Sequence, residues 1–268
     1  MIRLIVSDID GTLVPEGGSG LNPEYMEVIR TFAGLGVQFA VASGRQTSSI
    51  DAMFHEVRDL VYYLGDNGAS ILKGGVSEKE LRLDREFMVD FLEELKGIPG
   101  QRLLFSTREG CYTDDKDESF SRLIFGEYKG AGKVVEDISP YMDTCIKLSL
   151  YCEGGSRAIY DQLYERWKDR FVIHVSGAKW VDINALDATK GQAVRWIQEV
   201  HGIRPEETVV FGDNYNDISM MMQAGRSYAS ELSHPDIQKA AGHVVASYEK
   251  DGVLGVLKQI LEEVQSEK

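Results

Sequence analysis

Cysteine and long apolar runs are scarce in this 268-residue sequence. Its three cysteines, Cys111, Cys145 and Cys152, are odd in number and lack the close spacing of metal-binding pairs. We therefore expect reduced, mostly buried thiols in a cytoplasmic protein. No apolar run approaches the roughly 20 residues that a membrane helix needs, and the first residues lead directly into an apolar strand without a secretory leader. The sequence thus predicts no membrane association.

Positive charge is also in short supply. The chain has 29 lysines and arginines against 43 acidic residues, which gives a net charge of −14. This balance argues against binding nucleic acid or anionic membranes by charge alone, and it leaves the oligomeric state open. A local metal and a few cations can still bind a phosphorylated small molecule. Five histidines are scattered without the spacing of zinc ligands: His55, His174, His201, His234 and His243.

A pair of acids ends the first apolar strand. Leu4–Val6 reads as buried, and strand alternation puts Asp8 and Asp10 on one side. Gly11 then permits a sharp turn and a close approach of backbone to a ligand. Such a pair occurs in calcium loops and in ordinary turns, but a calcium loop would need glutamate where Ser19 stands. The remaining alternatives are a metal or acid–base site and a plain strand end.

A hydroxyl and a glycine follow the second predicted strand, Val37–Ala42. Ser43 and Gly44 precede a helix predicted from about Thr47 to Val57. A hydroxyl and unpaired backbone N–H groups at a helix start form a cradle for an anion such as phosphate. The same residues also suit a plain N-cap, and the pattern alone leaves both open.

A later segment places a lysine at the positive end of a predicted helix dipole. Lys190 occupies the first turn of a helix predicted to run to about His201. A positive charge is unfavourable at that end of a helix. Residues placed against such a rule often serve a function, although an exposed lysine tolerated at small cost is the alternative.

Two further acids follow the apolar strand Thr208–Gly212. Asp213 comes directly after it and Asp217 four residues later, with Asn216 between them. Ligands of open α/β sheets bind beyond the carboxyl ends of the strands, where these acids and the first pair would meet. Converging acids need a partner, and their oxygen atoms favour Mg²⁺ over zinc.

The middle third of the chain has a different pattern of predicted strands and helices. From about residue 83 it mixes strands and helices without acidic strand ends, and the alternating pattern resumes after Ala188. The sequence predicts an α/β fold: a Rossmann-like, doubly wound, mostly parallel sheet core with an inserted α+β cap. We expect residues 1–82 and 186–268 to form the catalytic core and residues 83–185 the cap.

Four motifs in order resemble those of the haloacid dehalogenase superfamily. The resemblance covers essentially the whole chain, and the insert between the second and third motifs is similar to the cap of the Cof-type sugar-phosphatase branch. Two other segments, 66–69 and 248–253, also resemble that branch. The motifs are Asp8–Thr12, Ser43–Arg45, Lys190–Gly191 and Gly212–Asp217.

The resemblance implies a Mg²⁺-dependent phosphatase acting on a small phosphate monoester, such as a sugar phosphate, through an aspartyl-phosphate. It implies that Asp8 is the nucleophile and that Asp10 is the general acid and base. Thr12 is expected to support the turn. The implied phosphate- and substrate-binding residues are Ser43, Gly44, Lys190, Asn67 and Asn216, and the implied metal ligands are Asp8, Asp10 through its carbonyl, Asp213 and Asp217.

Three alternatives are weighed against this function. A phosphomutase of the same fold would retain and reorient the intermediate, and a receiver-like regulatory protein would turn over slowly. The receiver would be about half this length and would not need Asp10, while a dehalogenase would lack that acid. One departure from the family pattern lies in residues 224–232, where the chain reads AGRSYASEL and the expected Asn is missing.

Overall fold

The computed structural model describes residues 1–127 and 131–267. It divides into two compact units, one of residues Met1–Lys79 and Thr189–Lys268 and one of Glu80–Ala188. The predicted roles of the two parts, catalytic core and cap, stay predictions. None of the described helices combines the length and apolar character needed to cross a bilayer.

The elements are numbered in chain order. The strands are β1 (Leu4–Asp8), β2 (Gln38–Ala42), β3 (Val61–Gly65), β4 (Ser70–Lys73), β5 (Val76–Glu80), β6 (Gln101–Thr107), β7 (Gly110–Thr113), β8 (Gly132–Val134), β9 (Lys147–Cys152), β10 (Phe171–Gly177), β11 (Trp180–Ala185), β12 (Thr208–Gly212), β13 (Arg226–Ser230) and β14 (His243–Val245). The helices are α1 (Glu24–Gly34), α2 (Thr47–Phe54), α3 (Arg85–Leu95), α4 (Glu118–Ser121), α5 (Ser156–Trp167), α6 (Lys190–His201), α7 (Ile218–Met221), α8 (Pro235–Ala240) and α9 (Gly252–Ser266).

A mostly parallel sheet forms the first unit. Its strand order is β14-β13-β12-β1-β2-β3-β4-β5, with β1 parallel to both β12 and β2. Alternate side chains of the strands enter two separate cores, one shared with α1 and α9 and the other with α6 and α7. Helices therefore cover both faces, and the carboxyl ends of β1, β2 and β12 lie at one edge.

The second unit has a six-stranded sheet in the order β10-β11-β9-β6-β7-β8. The pairs of β9 with β6 and β11 are antiparallel, and only the short β7–β8 pair is parallel among the described residues. Residues of α3 and α5 pack with the strands in one apolar cluster, which includes Phe91, Leu163 and Phe171. The predicted fold class, a doubly wound core with an α+β insert, is confirmed.

Several element predictions differ from the structure. The helix expected over Thr47–Val57 ends at Phe54, and a 3₁₀ turn over His55–Leu60 follows. The helix α4 changes into a π-helical turn over Arg122–Glu127 after Ser121, within the insert that the sequence predicted only as mixed strands and helices. The short strands β7 and β8 were not predicted, because four and three residues are too few for a clear alternation.

Candidate active site

Three carboxylates meet at the edge of the first sheet. Asp8 ends β1, Asp213 follows β12, and these two strands are parallel neighbours. Asp217 lies in a 3₁₀ turn that leads into α7. Each of the three acids offers one oxygen atom, and these oxygens all lie within 4.8 Å of one another. We call these three residues the acidic cluster.

Lys190 is buried against the acidic cluster. Its Nζ donates to Oδ1 of Asp8 at 2.5 Å and to Oδ1 of Asp217 at 2.6 Å. Burial opposes the lysine charge, but the carboxylates of Asp217 and Asp8 outweigh it and raise the pKa of Lys190. The position of this lysine in the first turn of α6 is thus accounted for by two anionic partners.

One ammonium group does not balance three carboxylates. Burial, with the nearby charges of Asp217 and Asp213, raises the pKa of Asp8 against the opposing effect of Lys190. Burial and then Asp217 raise the pKa of Asp213 to about 6. Burial is the main cause of both shifts and repulsion among the carboxylates adds to it, so an additional cation would stabilise the charged forms. The donor set, carboxylate oxygens alone, fits a hard divalent cation such as Mg²⁺.

Asp217 also fixes the loop that carries the cluster. Its Oδ2 accepts hydrogen bonds from the backbone N–H groups of Asp213 and Asn214, both at 2.9 Å. Its Oδ1 accepts from Lys190. The buried Asp217 carboxylate therefore holds both the backbone at Asp213 and the ammonium group of Lys190.

Gly11 allows the first motif to approach the fourth. Its φ is +81°, and a Cβ at this position would overlap the carboxylate of Asp213. Beside it, Thr12 Oγ1 donates to Asp213 Oδ1 at 3.1 Å. A residue without a side chain is thus needed here for both the backbone conformation and the close contact.

Asp10 lies beside the second motif. Its carboxylate accepts from Arg45 through Nε at 2.8 Å and Nη2 at 2.6 Å. Ser43 Oγ, at the end of β2, lies 3.4 Å from Asp10 Oδ2. Of the four acids expected to converge, Asp10 therefore contributes its side chain to Arg45 and Ser43, whereas the acidic cluster consists of the other three.

Two asparagines connect the second and fourth motifs. Asn216 Nδ2 donates to Asn67 Oδ1 at 3.1 Å, and the backbone N–H of Asn67 donates to the carbonyl of Ser43 at 2.9 Å. A Cβ on Gly44 would lie 3.3 Å from Asn67 Oδ1. These residues, predicted to bind phosphate and substrate, lie in one continuous set of contacts at the sheet edge.

Arg45 is a site residue for which the sequence predicted no role. It is the third residue of the second motif, two positions after Ser43. That position was the available signal, because arginine is well suited to hold a carboxylate through two parallel hydrogen bonds. The distance of 35 residues between Arg45 and Asp10 hides the pair from sequence spacing.

Comparison with known proteins gives the family. Residues 5–257 match the haloacid dehalogenase-like hydrolase family. A relative in Escherichia coli (strain K12), 5-amino-6-(5-phospho-D-ribitylamino)uracil phosphatase YbjI, is 26% identical over 97% of this chain and 96% of its own length.

Solved structures agree in fold. A crystal structure from Eubacterium rectale has a TM-score of 0.90 and 30% identity, and the match covers 97% of this chain and 99% of that one. The HAD subclass IIB sugar phosphatase BT4131 has a TM-score of 0.81 and 22% identity, over 96% of this chain and 98% of its own. The expected enzyme class, a phosphoric monoester hydrolase, is confirmed, and the chain belongs to the haloacid dehalogenase-like hydrolase family.

Proposed function

We propose that this protein is a Mg²⁺-dependent phosphatase that hydrolyses a small phosphate monoester through an aspartyl-phosphate on Asp8. One observation carries the proposal: the buried Asp8 carboxylate is hydrogen-bonded to Lys190, within the acidic cluster at the sheet edge. A carboxylate at such a place can act as a nucleophile, while the adjacent ammonium group can bind the phosphoryl oxygens.

The reaction proceeds in two displacements at phosphorus. Asp8 attacks the phosphorus atom, the bond from phosphorus to the ester oxygen breaks, and Asp10 gives its proton to the leaving oxygen. Asp10, now a carboxylate, then takes a proton from a water molecule that attacks the same phosphorus. The acyl phosphate bond breaks, which returns the Asp8 carboxylate and releases inorganic phosphate.

Lys190 and Ser43 bind the non-bridging oxygens of the phosphoryl group. These oxygens carry the negative charge that is spread during transfer, so fixed positive charge and hydrogen-bond donors stabilise the transition state. Gly44 leaves room for this group, and Asn67 and Asn216 line the same edge to contact the substrate. The proposed roles require that Lys190 exchange part of its contact with Asp8 for contact with the substrate.

The proposed Mg²⁺ would be held by Asp8, Asp213 and Asp217 and by the backbone carbonyl of Asp10. When bound, the ion supplies positive charge that neutralises the phosphoryl group and the cluster. The three carboxylate oxygens within 4.8 Å of one another support this assignment.

The proposed substrate is a sugar phosphate or a related metabolite, and the proposed location is the cytoplasm. The Escherichia coli relative is named for a phosphorylated ribitylamino uracil, so a phosphorylated polyol chain is a suitable member of a substrate panel. The buried thiols of Cys111, Cys145 and Cys152 are in keeping with a reducing compartment.

Phosphate release from a panel of esters tests the proposal. The panel contains p-nitrophenyl phosphate, hexose phosphates and ribityl phosphates, each with Mg²⁺ and with a chelator. We expect release that requires Mg²⁺ and falls at least 10³-fold in Asp8→Asn, because an amide is not a nucleophile here. The unfolding temperature of Asp8→Asn serves as the control for its fold.

Two results would overturn the proposal. Substantial Mg²⁺-dependent turnover by the Asp8→Asn variant would show that Asp8 is not the nucleophile. Absence of phosphate release from every ester, with isomerised sugar phosphate as the product, would identify a phosphomutase instead.

A further inference from the structure

We propose that Arg45 is a positioning residue that holds the carboxyl group of Asp10 where it transfers protons, beside Ser43. The inference rests on the proposed function, in which Asp10 is the general acid and base. It assigns to the Arg45 side chain a task in the reaction that acts through Asp10.

The Asp10 carboxylate is surrounded by donors. Arg45 donates to Oδ2 through Nε at 2.8 Å and to Oδ1 through Nη2 at 2.6 Å. The backbone N–H of Gly17 donates to Oδ1 at 2.8 Å, and Ser43 Oγ lies 3.4 Å from Oδ2. Two parallel hydrogen bonds from one planar guanidinium fix both the position and the plane of a carboxylate.

Arg45 is itself held in place on three sides. Its Nη2 donates to the carbonyl of Gly18 at 2.7 Å, and its Nη1 lies 3.2 Å from the sulfur of Met53 on α2. Its backbone N–H donates to Ser43 Oγ at 3.1 Å. The side chains of Arg45 and Asp10 are only 17% and 25% exposed, so the pair is partly shielded from solvent.

This arrangement orients the acid with respect to the phosphate-binding hydroxyl. Ser43 Oγ accepts from the Arg45 backbone and lies next to the carboxylate that the Arg45 side chain holds. One residue thus fixes, through its main chain and its side chain, both the hydroxyl and the acid. Without the guanidinium, the Asp10 carboxylate keeps the Gly17 and Ser43 contacts and loses the two parallel hydrogen bonds that fix its plane, so fewer molecules have the acid correctly placed.

An alternative is that the ion pair only ties the loop at residues 15–20 to the sheet. That role would lower stability and would slow all esters to the same extent. A role through Asp10 makes a different prediction. An ester with a poor leaving group depends on a proton from Asp10, whereas p-nitrophenyl phosphate releases p-nitrophenolate readily without one.

The test is a double-mutant cycle of Arg45→Met and Asp10→Asn. We measure kcat/KM for p-nitrophenyl phosphate and for an alkyl phosphate, because kcat/KM reports the step in which the ester bond breaks. We expect Arg45→Met to lower kcat/KM for the alkyl phosphate about 100-fold, and less than tenfold for p-nitrophenyl phosphate. We expect the double variant to be no slower than Asp10→Asn.

Two further variants complete the design. Arg45→Lys keeps the charge without the two parallel hydrogen bonds. We expect its kcat/KM to fall less than that of Arg45→Met, and again more for the alkyl phosphate than for p-nitrophenyl phosphate. Arg45→Lys also replaces Arg45→Met if that variant does not fold. Arg30→Met is the matched control, because Arg30 forms an exposed ion pair with Glu56 on the surface of the same unit; it should behave as wild type.

Equal losses for both esters, or losses that multiply in the double variant, would overturn the proposal. Residual turnover of p-nitrophenyl phosphate shows in each case that the variant is folded. Failure of the wild-type protein to hydrolyse either ester would instead refute the proposed phosphatase function, so the two failures are distinguishable.

Discussion

Lys190 is the only ammonium group hydrogen-bonded to the acidic cluster in the part of the chain that the structure describes. The sequence marked it through its unfavourable place in a helix. The sequence could not identify the partners of Lys190, because Asp8 lies 182 residues before the lysine and Asp217 lies 27 residues after it. Local rules detect that a residue breaks a pattern, whereas the compensating contact arises only from the tertiary fold.

Removal of the Lys190 charge should unfold the protein more easily. Lys190→Met leaves buried carboxylates without their ammonium partner, a change that costs about 3–5 kcal/mol in comparable buried pairs. We expect the free energy of unfolding, measured with urea in the presence of a chelator, to fall by that amount.

The control is Lys258→Met, because Lys258 and Glu24 form an exposed pair that contributes little. If the two variants lost the same stability, Lys190 would not compensate the acidic cluster.

Asp213 gives the acidic cluster a pH dependence with a definite sign. Its pKa of about 6 in the folded protein lies above the ordinary value of 3.8. Between these values the folded state binds more protons than the unfolded chain, so its contribution to stability is lost as the pH rises from about 4 to about 6. We expect Asp213→Asn in chelator to be more stable than wild type at about pH 7 and equally stable at about pH 4.

Urea unfolding over this pH range checks the expectation, with Asp90→Asn on the exposed side of α3 as the control. If the stability of Asp213→Asn changed with pH as steeply as that of the wild type, the raised pKa of Asp213, caused by burial and by Asp217, would be contradicted.

At the scale of elements, the turn after β3 supports the site. Asp66, Asn67 and Gly68 have φ values of 51°, 61° and 93°, a run of left-handed residues. In the sequence, only the resemblance gave Asn67 a role. Hydrogen bonds from Asp66 N–H to the Arg45 carbonyl and from Asn67 N–H to the Ser43 carbonyl stabilise this unusual backbone.

Gly68→Ala should disturb this turn and the site together. A Cβ on Gly68 would lie 2.5 Å from the carbonyl oxygen of Thr189, directly before Lys190. At Gly36 the φ is +79°, but a Cβ would meet nothing within 4 Å. We expect Gly36→Ala to cost about 1–2 kcal/mol of stability from backbone strain alone, and Gly68→Ala to cost more and to slow phosphate release.

Urea unfolding and phosphate release, measured on both variants, separate the effect of backbone strain from the effect of the close contact with Thr189. Equal stability losses, with activity retained in both variants, would show that the close approach to Thr189 is unimportant.

A glutamate makes tertiary contacts in the segment after β13, where the asparagine of the family pattern is missing. The Glu231 carboxylate accepts from the Ser247 backbone at 3.0 Å and from Lys250 Nζ at 2.7 Å. It therefore connects the end of β13 to the turn before α9. The sequence revealed the departure but not this contact, because the partners lie 16 and 19 residues apart in different loops.

At the scale of the whole molecule, the order of apolar strands and acidic strand ends was sufficient to predict the fold. Buried parallel strands such as Leu4–Asp8 and Thr208–Gly212 read as continuous apolar runs, and their acids had to meet at one edge. The pairing of Asp10 with Arg45 was not predictable, since the contacts that hold the guanidinium, to Gly18 and Met53, arise only in the folded chain.

The central claim is that Asp8 becomes phosphorylated during turnover. The most direct measurement is a rapid acid quench of the Asp10→Asn variant during turnover of radiolabelled p-nitrophenyl phosphate with Mg²⁺, followed by peptide mapping. In this variant the leaving group departs without a proton, while hydrolysis of the acyl phosphate is slow. We predict label on the peptide that contains Asp8, and none after Asp8→Asn. Label on another residue, or turnover of the ester without any covalent label, would contradict the account.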